Sequence, residues 1–214
     1  MKALTKYTLL GGGLLVTVLI LANCKLAMAP LAHAFGAPPE SELAKCRTAF
    51  RQLQGGLEKA TVEIAPVLTV DERGAVWRRP LGAGLQREVA TRTKAKLTLP
   101  TRRPTVAATP LGHNQLRYLW TRAADYTQAL QAARAEADYV LQAEIFAHDG
   151  KVTALHVFVF TADGQVAYCR LFNSHHFGAD FRADGDEPLR LIVRHLFEDL
   201  HRDAEEVFPP HGVG

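Results

Sequence analysis

The chain is poor in the residues that would mark it as a disulfide scaffold or a metal-finger protein. Its 214 residues hold three cysteines, two tryptophans and two methionines. Three cysteines are too few for a disulfide-dense fold. The sequence contains no Cys-x-x-Cys, His-x-x-x-His or His-Glu-x-x-His, the spacings that bring zinc ligands together. It also lacks a Gly-x-Ser-x-Gly elbow and a Gly-Lys-Ser/Thr phosphate loop. Excess charge of one sign is missing too. There are 25 basic against 22 acidic residues, and Lys2, Lys6 and Lys25 account for the difference. Everything after position 34 is neutral on balance, so nothing in the overall charge argues for nucleic acid. Only one long apolar run is present, which excludes a multi-span membrane protein. A content of 48% hydrophobic and 22% charged residues excludes disorder.

That single run is an address. Met1–Lys6 is basic, and Leu9–Ala22 then runs about 14 residues without a charge. Small residues follow up to Ala32-His33-Ala34. Residues 1–34 therefore read as a secretory signal peptide cleaved after Ala34, or as a retained anchor. A third reading is lipidation at Cys24, because Leu21-Ala22-Asn23-Cys24 resembles a bacterial lipobox, with Asn23 where that motif carries a small residue. All three place the remainder outside the cytoplasm, in the periplasm or tethered to a membrane and facing it. An oxidising compartment favours an even cysteine pair, so Cys46 and Cys169 are a disulfide candidate; two buried free thiols are the alternative.

Residues 35–39 form a linker and 209–214 a tail. Between them, 40–208 read as one mixed α/β domain. Leu43, Cys46, Phe50 and Leu53 set a first helix over Glu40–Gln54. Lys59–Val70 is a strand, and Pro66 inside it demands an edge position or a bulge. Leu81–Thr93 is a helix, Lys96–Leu99 a short strand and Gln115–Ala137 a long helix. Period-two alternation then predicts strands from Tyr139 to Phe146, Val152 to Thr161 and Gln165 to Phe172, joined at His148-Asp149-Gly150 and Asp163-Gly164. These form a three-strand antiparallel meander whose middle member is apolar on both faces. Leu189, Ile192, Val193, Leu196 and Leu200 predict a final helix over Glu187–Val207. The fold class is α/β, a mixed sheet with helices packed on it.

The stretch Ala133-Arg134-Ala135-Glu136-Ala137-Asp138-Tyr139-Val140-Leu141-Gln142-Ala143-Glu144-Ile145 resembles a helix-to-strand passage in certain bacterial envelope proteins. These are the amino-terminal domain of TolB, the curli secretion lipoprotein family and the lipoprotein activators of penicillin-binding proteins. The resemblance implies a fold, an envelope location and a protein partner or self-assembly. It implies no catalytic residues and no cofactor.

Two surfaces are candidates for binding. Arg73–Arg103 carries nine basic residues against Glu88 alone, among them Arg78, Arg79, Arg87, Arg92, Arg102 and Arg103. Such a face suits an acidic partner or an anionic surface, unless the acidic final helix neutralises it. The second is the loop after the last strand, with Asn173, His175 and His176. Ser174, His175 and His176 together are the alternative, a hydrolase or metal-dependent site; adjacent histidines point to opposite faces of a strand and share an ion poorly. Gly82 and Gly84 open a helix after a strand, yet helix-on-sheet packing explains them more simply than a phosphate. The expectation is an exported, non-catalytic accessory protein that binds another envelope protein.

Overall fold

Pro66 interrupts a strand in the middle of the sheet. In the computed structural model, which describes residues 38–100, 106, 115–133, 136–173 and 180–210, that strand is β1 (Thr61–Ile64) followed by β2 (Val67–Asp71). Both run parallel to β5 (Tyr139–His148). Ile64 sits opposite Leu141 and Leu68 opposite Glu144, so four steps along one strand match three along the other. The extra residue is a bulge, and it exchanges the faces to which odd and even positions point. Pro66 has no N–H for the ladder, and the Gln142 amide donates to its carbonyl at 3.2 Å. The bulge expected from the proline is present; the edge position is not, because β1 is paired on both sides.

Across the bulge the strand changes outer neighbours. β1 pairs in parallel with β4 (Lys96–Thr98), and β2 pairs antiparallel with β3 (Gly74–Arg78). On the other side of β5 come β6 (Lys151–Thr161) and β7 (Val166–Asn173), both antiparallel. The expected meander is therefore present, with β6 paired on both edges. Its first turn is a two-residue Asp149-Gly150 loop with both φ values positive, 51° and 74°. The result is an open seven-stranded mixed sheet.

Among the described residues, five α-helices cover it. α1 (Glu40–Gly56) packs along β7, and α2 (Arg79–Ala90) connects β3 to β4. α3 (Gln115–Ala133) crosses one face, with Tyr126 against Phe158 and Phe160 at ring separations of 5.5 and 6.0 Å. α4 (Glu187–Asp199) packs on the other face beside α2. The final helix expected as one piece is broken: Leu200–Asp203 leave the helix and α5 (Ala204–Val207) follows. The break seats Phe208 between Phe50 of α1 and Trp120 of α3.

The Ala137-Asp138-Tyr139 passage is a folding device. The Asp138 carboxylate accepts the Thr61 N–H at 2.8 Å, and its carbonyl accepts the Ala162 N–H at 2.9 Å. One residue thus ties the starts of β5 and β1 to the turn after β6.

Under α3 lies a polar cluster. Glu144 of β5 is fully buried, and one of its oxygens accepts from Arg122 Nε at 2.9 Å, Arg122 Nη2 at 2.5 Å and Tyr126 Oη at 2.7 Å. The other accepts from His156 Nδ1 at 3.0 Å, an ionised carboxylate being acceptor only. Burial pushes the Glu144 carboxyl up, but His156 and Arg122 outweigh that and hold it below its ordinary 4.5. Its folded value lies below its unfolded one. The stability it contributes is therefore present above about pH 4.5 and lost as pH falls through the folded value. Arg122→Met strands this carboxylate and should cost about 3–5 kcal/mol by urea unfolding at pH 7, and Arg122→Met with Glu144→Leu should recover part of it. A loss under about 1 kcal/mol for the single variant would show that the cluster does not hold α3 down.

Candidate functional site

The two margins of the sheet are treated differently. β7 packs against α1, and its first four residues are buried. The opposite margin is made end to end by β4 and β3, each paired on one side only among the described residues. β3 was not legible in the sequence, where Asp71–Gly74 reads as a turn with no strand after it. Ala75 and Val76 are exposed, Val76 at 48%, while Trp77 is half-buried against both hydrophobic clusters. Among the described residues no backbone hydrogen bond reaches Gly74–Arg78 except from β2. A row of its N–H and C=O groups is thus left for water or a partner.

The hairpin carrying this edge is held at its tip. Asp71 Oδ1 accepts the Arg73 N–H at 2.8 Å, and Gly74 has φ +121°, which a side chain would strain. Glu72 accepts the Asp149 N–H at 2.7 Å and pairs with His148. A hydrogen bond from its own backbone N–H, then that from Asp149, with His148 a lesser contributor, hold the Glu72 carboxyl below its ordinary value. Glu72, His148 and Asp149 could geometrically share a cation, but all three are exposed and their contacts already join one hairpin tip to the other.

At its other end β3 runs into α2, with Pro80 in the first turn. Arg78 and Arg79 are exposed at this junction, and Arg87 and Arg92 are exposed further along. Arg78 stands opposite Val67 and Val76 opposite Thr69, so Arg78, Val76 and Thr69 share one face of the sheet. A cleft of about 720 Å³ opens on that face, lined by Thr69, Asp71, Arg78, Leu81, Lys151 and Arg182. Lys151 is paired with Asp180 and Arg182 with Asp184. The Arg182 hydrogen bond and charge hold the Asp184 carboxyl down, with Arg78 a lesser contributor.

Neutralisation by the acidic final helix is limited. α2 does lie beside α4, but the ion pair that joins them is Arg190 to Glu88 at 3.4 Å, which uses the lone acid of the basic segment. Arg79, Arg87 and Arg92 hold no carboxylate at ion-pair distance among the described residues. The glycines have the packing role expected of them. A Cβ on Gly82 would stand 3.2 Å from the Ala65 carbonyl oxygen and the Pro66 Cα, and one on Gly84 would stand 2.9 Å from Leu189 Cδ1.

The other expected residues do not join this surface. Asn173 ends β7, on the opposite side of the sheet from β3. Cys24, Arg102, Arg103, Ser174, His175 and His176 lie outside the described residues. Cys46 and Cys169 are buried free thiols rather than the expected disulfide. They occupy α1 and β7, which pack together, and Cys46 lies near enough for its charge to act on Cys169. Burial, with Glu42 nearby, pushes the Cys46 thiol up to about 12, and burial also raises Cys169, so the thiolates that exchange requires are suppressed. The polar cluster at Glu144 escaped sequence reading. It combines residue types used in catalysis, but Arg122, Tyr126, Glu144 and His156 are all at most 1% exposed beneath α3.

No family model and no curated protein matches the chain. Similar solved structures include the LpoB C-terminal domain from Salmonella enterica, at 13% identity and TM-score 0.35 over 59% of this chain and 92% of that one. The LpoB C-terminal domain from Escherichia coli has the same identity and coverage of this chain, 95% coverage of its own, and a TM-score of 0.30. Protein VC0702 from Vibrio cholerae follows at 14% and 0.32, over 69% and 73%. Likeness at this level assigns neither fold nor function to this chain.

Gly82 tests how α2 is set against the sheet. Gly82→Ala drives a methyl into backbone and should destabilise by about 1–3 kcal/mol. Gly55→Ala, where a Cβ meets nothing within 4 Å, should be neutral or stabilise by up to about 1 kcal/mol. Equal effects in thermal unfolding would contradict the close packing.

Proposed function

We propose that the chain is an exported envelope protein without catalysis of its own, acting by holding another envelope protein against its β3–α2 margin. The observation that carries this is the contrast between the margins. One packs against a helix, and the other leaves strand hydrogen-bonding groups open beside Arg79, Arg87 and Arg92, which hold no carboxylate at ion-pair distance among the described residues. Natural sheets cover or blunt such edges, so one left uncovered beside exposed Val76 fits a surface kept for a partner. The support for export is the basic, apolar and small-residue order of residues 1–34. The resemblance around Asp138 to envelope proteins agrees with it.

Processing of the native chain tests the location. A chain that starts near Phe35, or at Cys24 with added lipid mass, and is recovered with the cell envelope is the expected result. A full-length chain starting at Met1 and recovered with cytoplasmic proteins would overturn it.

A further inference from the structure

We infer that the β3 edge takes up an extended segment of the partner as an eighth strand, and that this segment carries an acidic residue two positions from an aliphatic one. The inference rests on the binding reading above and adds the mode and the chemistry. An edge strand with one free row of N–H and C=O groups offers a ladder that is indifferent to sequence. Selectivity then comes from alternate side chains, because those of an added strand stand beside alternate residues of β3.

On the cleft face those residues are Val76 and Arg78. Val76 is exposed and aliphatic, so its neighbour should be apolar. Arg78 is exposed, and its nearby carboxylate at Asp184 is already bonded to Arg182, so its neighbour should be a carboxylate. Arg79 and the cationic α2 beyond extend the attraction in the same direction. On the other face Ala75 is small and exposed and Trp77 is half-buried, which leaves room for any modest side chain. From Arg73 to Lys96 the chain carries seven basic residues and Glu88, and Glu88 faces Arg190, so a cationic segment would be repelled.

The test uses the full chain and a blocked seven-residue peptide alternating threonine and valine around one central aspartate. Amide shifts in the protein should change along Gly74–Arg78. Binding should vanish when the peptide is N-methylated at alternate bonds, and weaken about tenfold when aspartate becomes lysine or when the protein carries Arg78→Glu. Shifts confined to other elements, or equal binding of the N-methylated peptide, would overturn strand addition. A photo-crosslinker placed in cells at Val76 and, separately, at Arg92 distinguishes this failure from failure of the binding reading. An adduct at Val76 that is lost with Arg78→Glu supports the inference. An adduct at Arg92 alone leaves a partner held by the helix and overturns strand addition. An adduct of twice the chain's mass at Val76 overturns it in favour of pairing between copies. Adducts at neither position overturn both readings.

Discussion

A carboxylate with no access to water has to be matched on every lone pair, and Glu144 imposes that condition on the middle of this fold. Arg122 and Tyr126 must come from above, one helical turn apart, and His156 must come from the next strand. Two of the three are on α3, so the cluster ties that helix to β5. The opposite face repeats the device. Asp199 ends α4, where the helix dipole disfavours a negative charge, and it accepts from Tyr168 at 2.9 Å, Arg170 at 2.9 Å and Arg202 at 3.0 Å. Burial raises the Asp199 carboxyl and those donors more than offset it. β5 and β6 are therefore tied to α3 on one face and β7 to α4 on the other by directional polar contacts, with apolar packing supplying the bulk of the stability.

Rigidity in the centre bears on the margin. The β3 hairpin hangs on β2, and β2 is reached only after the Pro66 bulge has shifted the strand's register and neighbours. Were the strand uninterrupted, one outer neighbour would run its whole length. The bulge divides the margin between a parallel strand and an antiparallel one, and it is the antiparallel hairpin that carries Val76 and delivers Arg78 to the mouth of the cleft. Gly82 permits α2 to lie close to that bulge, which keeps the arginines beside the open strand.

Much of the sheet was legible because its residues obey one period at a time. The meander's strands are apolar runs bounded by turn residues, Asp149-Gly150 announces a tight turn, and Pro66 announces a bulge. β3 was not legible, since Gly74-Ala75-Val76-Trp77-Arg78 is short, mostly exposed and without a buried alternation. The break at Leu200–Asp203 was hidden because the apolar stripe continues through Leu200 to Val207. The Glu144 cluster was missed although a clue existed. β6 is apolar on both faces, so a polar residue of β5 facing it must be buried, and Gln142 and Glu144 both are. Of the expected binding residues, Arg78 and Arg79 do meet at one place, because a strand end and a helix start share them. Asn173 does not, because strand order placed β7 at the far margin, and strand order leaves no local trace.

The openness of β3 is the claim on which the functional account depends, and backbone hydrogen exchange of the full chain measures it directly. The account predicts strong protection in Tyr139–Leu141 and Glu144–Phe146, the parts of β5 that are paired on both sides. In Gly74–Arg78 it predicts alternation, with amides turned away from β2 exchanging close to the rate of an unstructured peptide. Uniform protection of all five β3 amides, at the level of β5, would mean that the edge is already covered and would contradict the account.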